Sequence, residues 1–391
     1  MIKVLEYIPI NALCPRGGPV GYLYNLNEGL KNLGNKDGVE ISFLPVDNNF
    51  ARKRKATSIK WLNDFIKSIY HKKYYKSLLR ENGKHLNNNI DLNDYDIIHF
   101  HDVTSMFAIR DSLCSYNGKT CLTSHSPVPY FEEIKDRMTN QEKRIFGSVI
   151  KSIETIDKWA FSNADYIIFP CEYAMEPYFK HWPIFEQIIS NKDIRFVPSG
   201  TRECKAKVSK SEVRKMYNIP DDAFVMCYAG RHSEVKGYLD LKAVGSEILK
   251  NENTWMLVAG KEAPLKGLNH PRWIEVGWTD DPHSLMAASD LFILPNKETY
   301  FDLVLLEVIS LGAPALVSNT GGNKYFANKT TGIILFDGLQ DAIDKVHSFM
   351  NLSKETIRDM KSANKALFKK EFDVNTFAKN YTTLYKDIFN E

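Results

Sequence analysis

Residues 224–260 read FVMCYAGRHSEVKGYLDLKAVGSEILKNENTWMLVAG. Two apolar, β-rich runs, Phe224–Ala229 and Thr254–Ala259, flank a glycine-bounded turn and a helical stretch. Apolar runs that do not alternate with polar residues suit parallel strands covered on both faces, and the helical stretch between them supplies the crossover. The same punctuation continues downstream at Trp273–Val276, Leu291–Leu294, Ala313–Val317 and Gly332–Leu335. An earlier series runs through Ile2–Tyr7, Glu40–Pro45, Asp96–Phe100, Thr120–Ser124, Tyr166–Phe169 and Ile194–Val197. Two consecutive series predict an α/β chain of two doubly wound, Rossmann-like domains.

The expected division is 1–200, 201–370 and a C-terminal helix over 371–391. The boundary stretch VPSGTRECKAKVSKSEVRKMYNIPDD reads as a linker after Gly200. Ser211, with Arg214 and Lys215, then opens a helix that ends before Pro220. In the tail, Phe377, Tyr381, Leu384, Tyr385 and Ile388 fall at helical spacing, so this helix is a candidate to pack back on the N-terminal domain.

A chain of 391 residues suits two domains of ordinary size, and 43% hydrophobic with 25% charged residues describes a globular protein. No apolar run reaches the ~20 residues of a membrane span. The opening MIKVLEYIPI reads as a first strand, with no basic leader or cleavage site, so a cytoplasmic location is expected. The cysteines at 14, 114, 121, 171, 204 and 227 form no CxxC pair, and are expected as small buried hydrophobes.

Four stretches carry candidate chemistry. CPRGGPVGYLYNLNEGLKNLG follows the first strand, and Gly17, Gly18 and Gly21 can let backbone approach an anion at a helix N-terminus. A tight turn explains the same glycines equally well. Arg231 and Lys236 follow the strand 224–229, at the carboxyl end where open α/β sheets bind ligands, and both can reach one diphosphate. The alternative is two solvated cations. Glu298 lies just past a buried strand, and Glu307 sits in the apolar helix LVLLEVISLG, where a buried carboxylate needs a partner; a ribose diol would serve. The alternative is a solvated Glu on a polar face. His99 and His101 share a strand face, and His125 ends the next strand. With Asp102 these compose a possible metal site, but no tight ligand spacing accompanies them, so no metal is expected.

At these residues the chain resembles the glycosyltransferase family 4 group of retaining GT-B enzymes. The matching stretches, in order, are GGPVG at 17–21, SHSP at 124–127, GRHSEVKG at 230–237, ETYFDLVLLE at 298–307 and NTGG at 319–322. The resemblance implies two Rossmann-like domains facing each other across a cleft, and transfer of a sugar from a nucleotide sugar, with a UDP-sugar favoured, to a glycan or lipid-linked acceptor. It implies that Gly17 and Gly18 pack against the donor diphosphate and that Arg231 and Lys236 neutralise it. Glu307 would hold the ribose hydroxyls and Glu298 the transferred sugar. The backbone at Leu303 and Val304 would turn toward donor oxygens, and His125 would sit by the sugar. It implies no cofactor and no bound divalent metal. Two features depart from the pattern. Eight residues rather than seven separate Glu298 from Glu307, and the usual Phe-Gly is Phe301-Asp302. Asn323, Lys324 and Tyr325 stand where a glutamate commonly follows the glycine pair.

Net charge is +3, but residues 51–85 hold eleven Lys/Arg against Asp64 and Glu81, leaving +9 there and −6 elsewhere. Such asymmetry suits an anionic surface. Arg52, Lys53, Arg54, Lys55, Lys60, Trp61, Lys67, Lys72, Lys73 and Lys76 are the expected docking residues for the cytoplasmic face of a membrane, beside an apolar stripe at Ile59, Leu62, Phe65, Ile66 and Ile69. A basic helix packed on the N-terminal domain is the alternative. No nucleic-acid motif accompanies the charge, so nucleic acid is not an expected partner. Capsule or other surface-polysaccharide assembly is the expected pathway. A nucleotide-sugar epimerase, needing no acceptor, and a non-catalytic sugar-nucleotide-binding subunit remain as alternatives.

Overall fold

The computed structural model describes residues 1–8, 12–15, 18–34, 38–44, 69, 73–74, 76–77, 79 and 90–391. Its strands form two six-stranded sheets, and all the pairings are parallel. The first contains β1 (Ile2–Tyr7), β2 (Val39–Phe43), β3 (Ile97–Phe100), β4 (Lys119–Leu122), β5 (Tyr166–Phe169) and β6 (Asp193–Phe196), in the order β2-β1-β3-β4-β5-β6. The second contains β7 (Phe224–Ala229), β8 (Thr254–Ala259), β9 (Trp273–Gly277), β10 (Leu291–Leu294), β11 (Ala315–Ser318) and β12 (Ile333–Phe336), in the order β12-β11-β10-β7-β8-β9. This is the α/β, doubly wound architecture expected from the apolar runs, with strand ends shifted by a residue or two. Strand order reverses between β1 and β3 in one sheet and between β7 and β10 in the other. In open α/β sheets ligands bind outside the carboxyl ends of the strands at such switch points.

The central strands are apolar because helices cover both faces. Ile97, Ile98 and Phe100 in β3, and Leu291, Phe292 and Ile293 in β10, are fully buried. In the second unit, Tyr238, Leu241, Val244 and Ile248 of the helix Tyr238–Ile248 pack on Met226, Met256 and Val258.

The chain divides into one unit of Met1–Phe169, Met175–Val197 and Ala378–Glu391, and a second of Pro170–Ala174 and Pro198–Phe377. The tail is helical over Val374–Asn390, and its apolar stripe at Tyr381, Leu384, Tyr385 and Ile388 is buried. Two expectations need correction. Ser209, not Ser211, caps the helix Lys210–Met216, in a capping box with Glu212; its side chain lies three residues before the N–H it accepts, and Ser211 is already inside the helix. Cysteines 121, 171 and 227 are buried, but Cys114 is exposed and Cys14 and Cys204 are half-buried. Each is placed by its own local packing.

Most of the expected membrane-docking segment lies outside the described residues, as does Gly17. Of its basic residues Lys73 and Lys76 are described, and both are exposed. No described helix is long and apolar enough to cross a membrane.

Candidate active site

The second unit gathers its polar groups at the β7/β10 switch point. Beyond β7 the chain turns through Arg231 to Gly237, which caps the helix Tyr238–Ile248 with a left-handed backbone (φ 64°). A Cβ at Gly237 would lie 1.6 Å from the Pro295 carbonyl oxygen, so only glycine lets this turn sit against the loop after β10. Val235 O accepts from Lys297 N at 2.9 Å and ties the two loops together. Arg231 is exposed, and its carbonyl accepts from the Tyr228 hydroxyl at 2.9 Å.

Lys236 is directed at the start of the helix Leu303–Ser310. Its Nζ donates to both carboxylate oxygens of Asp302, each at 2.9 Å, and Asn296 Nδ2 donates to the same carboxylate. Asp302 is the N-cap residue of that helix, yet its side chain makes no capping bond. A lysine and a helix N-terminus therefore converge on one point, and an internal carboxylate holds the lysine there. The cation and the first-turn N–H groups of Leu303 and Val304 together favour an anion. The departure from Phe-Gly thus places a carboxylate on the lysine that the sequence resemblance directed at a diphosphate. Leu303 and Val304 occupy the first turn of this helix.

Glu298 lies in the loop between β10 and that helix, and is half-buried. The glycine pair after β11 packs beneath this loop. Added Cβ atoms would lie 2.2 Å from Thr299 O at Gly321 and 2.0 Å from Tyr300 O at Gly322. In this structure NTGG supports the Glu298 loop by allowing close backbone approach.

Glu307, 30% exposed, finds a partner that sequence reasoning missed: His283 Nε2 at 3.4 Å. The Cys204 sulfur and the Glu307 carboxylate push the His283 pKa up to about 10. His283 stands on a separate helix, Pro282–Ala288, so no local pattern links it to Glu307.

The histidine group lies in the first unit, at the β1/β3 switch point. Glu6 of β1 pairs in register with His99 of β3, so both side chains point to one face. Both are fully buried, as is His101. His101 Nε2 lies 2.5 Å from Glu6 Oε2, and His101 Nδ1 lies 2.8 Å from His125 Nε2. Tyr385, from the C-terminal helix, donates to Glu6 Oε1 at 2.6 Å and lies 2.7 Å from His99 Nδ1. His99 Nε2 meets Thr123 Oγ1 at 2.8 Å. Burial, followed by the neighbouring His101, lowers the pKa of both His99 and His125 well below the ordinary imidazole value.

The expected grouping of His99, His101 and His125 is thus present, but Asp102 is not part of it. Asp102 caps the helix Val103–Ala108, accepting from Ser105 N at 2.7 Å. The carboxylate that joins the histidines is Glu6. Glu6, His99 and His101 offer ligand atoms within 4.8 Å of one another, a spacing that can hold a metal ion, and hydrogen bonds already engage each of them. The signal for Glu6 was a lone carboxylate inside the apolar strand IKVLEY. Gly18, with φ 77°, precedes the helix Pro19–Leu33 in the same unit, and space for a side chain is open there.

Comparison with known proteins gives two family models end to end. Residues 16–201 match Glycosyltransferase Family 4, and residues 209–367 match Glycosyl transferases group 1. The O-antigen biosynthesis glycosyltransferase WclY of Escherichia coli is 25% identical over 190 residues, which are 46% of this chain and 52% of that protein. The UDP-Gal:alpha-D-GlcNAc-diphosphoundecaprenol alpha-1,3-galactosyltransferase of Escherichia coli is 24% identical over 183 residues, 43% of this chain and 46% of that protein. The chain spans about half the length of these curated relatives. Among solved structures, sucrose-phosphate synthase from Thermosynechococcus elongatus has the same fold over the whole of both chains, with a TM-score of 0.67 at 16% identity.

Proposed function

The chain belongs to the GT-B glycosyltransferases of the family 4 type, and from that premise we propose that it transfers a sugar from a UDP-sugar to a glycan or lipid-linked acceptor, with retention at the anomeric carbon. The observation that carries the donor site is the convergence of Lys236 on the N-terminus of the helix Leu303–Ser310. In the proposed reaction the acceptor oxygen bonds to the anomeric carbon as the bond from that carbon to the diphosphate breaks. The nucleoside diphosphate leaves with the bonding pair, and the acceptor proton passes to a phosphate oxygen or to solvent. Arg231, Lys236 and the first-turn N–H groups at Leu303 and Val304 stabilise the charge on the leaving diphosphate. Glu307 holds the ribose, Glu298 the transferred sugar, and His125 a hydroxyl of that sugar.

Relatives named for O-antigen biosynthesis and for an undecaprenol-linked acceptor support a role in surface-polysaccharide assembly, capsule included. The basic segment 51–85 supports contact with an anionic membrane face. Salt-sensitive binding to anionic but not neutral vesicles would report that contact, and equal binding to both would refute it. Calorimetry with UDP tests the donor site. Lys236→Ala and Glu307→Gln should weaken UDP binding, whereas Glu298→Gln should spare it and reduce transfer. Unchanged UDP affinity in Lys236→Ala would sink the assignment, and sugar conversion without an acceptor would point to an epimerase.

A further inference from the structure

The hydrogen-bonded cluster behind His125 has a direction. Histidine, tyrosine and threonine can each donate or accept, but a carboxylate can only accept. Glu6 is the carboxylate of the cluster, so the protons orient toward it. On one branch His101 Nε2–H donates to Glu6 Oε2, leaving His101 Nδ1 with a lone pair. That lone pair takes the proton on His125 Nε2, 2.8 Å away, and His125 Nδ1 is left as the ring's acceptor. On the other branch Tyr385 O–H donates to Glu6 Oε1, the Tyr385 oxygen accepts from His99 Nδ1–H, and His99 Nε2 accepts from the Thr123 hydroxyl. One consistent assignment of protons therefore runs from Thr123 at one end and His125 at the other into Glu6.

Geometry holds the end of this chain in place. His125 has φ 56°, a left-handed conformation that is strained for a non-glycine residue and persists where its surroundings fix it. The Tyr22 ring stands edge-on to the imidazole at 4.4 Å between centroids, and Tyr22 is itself bonded to Tyr381 of the C-terminal helix.

We propose that Glu6 and His101 are positioning residues that fix His125 as its Nε2–H tautomer, so that Nδ1 presents a lone pair to a hydroxyl of the transferred sugar. The proposal rests on the reading of His125 as the sugar contact. It also bears on substrate class, because a site built to accept a hydroxyl proton discriminates against a sugar lacking that hydroxyl.

The test uses the full chain labelled with ¹⁵N-histidine, with His125 assigned by the loss of its signal in His125→Asn. Long-range ¹H–¹⁵N spectra should show His125 protonated at Nε2. In Glu6→Gln the amide can donate or accept at His101, so His125 should populate both tautomers. Transfer from a UDP-sugar should fall about tenfold while the Kd for UDP stays within about twofold. Should Glu6→Gln not fold, His101→Asn serves. Its amide can likewise donate or accept at His125, so the preference for the Nε2–H form should be lost and transfer should fall, with the Kd for UDP again within about twofold. A wild-type His125 protonated at Nδ1 would overturn the proposal. So would lost transfer in Glu6→Gln with the tautomer unchanged, or a stoichiometric metal ion that Glu6→Gln removes. Absence of transfer by the wild-type protein with any UDP-sugar would defeat the glycosyl-transfer reading instead, and the tautomer measurement would still decide the positioning.

Discussion

The two switch points occupy the same place in their sheets and are built from opposite materials. At β1/β3 the polar groups are Glu6, His99 and His101, fully buried, with His101 bonded to Glu6 directly and His99 linked to it through the Tyr385 hydroxyl. At β7/β10 the cations are an exposed Arg231 and a Lys236 that remains 24% exposed, held by Asp302. A buried network must satisfy its own donors and acceptors, because each one left unpaired costs about 1–3 kcal/mol. A half-exposed cation carries no such obligation and can exchange an internal carboxylate for a ligand phosphate. The first region is thus suited to holding a side chain in one protonation pattern, and the second to capturing charge. Parallel topology supplies the location alone; burial decides which chemistry the location supports.

The largest expected effects separate the two regions directly. Glu6→Ala leaves the His101 Nε2–H and the Tyr385 hydroxyl without their acceptor. The melting temperature should fall on the order of 10 °C. Lys236→Ala should leave it within about 2 °C and instead reduce transfer by about ten- to a hundredfold, since a charge-assisted contact contributes about 1.5–3 kcal/mol. Thermal melts and steady-state transfer on both variants check this, and a reversal of the pattern would mean that burial does not separate the two regions.

A smaller effect sharpens it. Asp302 occupies Lys236, so in the proposed donor site a diphosphate would have to displace the carboxylate. Asp302→Asn should tighten UDP binding about fivefold, the equivalent of a partly exposed ion pair of about 1 kcal/mol. Weaker UDP binding in this variant would mean that Asp302 itself supports the donor, and calorimetry distinguishes the two.

Much of this was legible in the sequence because it depends on short-range pattern. Apolar runs such as LFIL at 291–294 mark strands covered on both faces, and the helical stretches between them impose parallel pairing. Gly237 announces a turn that no side chain can enter, and Lys236 beside it marks the carboxyl end of β7. Partners contributed by distant elements were not legible. Glu6 meets His101 across 95 positions and Tyr385 across 379, and Glu307 meets His283 from a separate helix. Asp302 was visible as an unusual residue, but its grip on Lys236, 66 positions away, was not. The two doubly wound sheets and the places of the cations along the chain follow from local pattern, because strand periodicity and turn chemistry act over a few residues. Which carboxylate answers which cation or imidazole follows from the folded arrangement instead, because burial and hydrogen-bond pairing depend on strand order, register and the return of the C-terminal helix to the first unit.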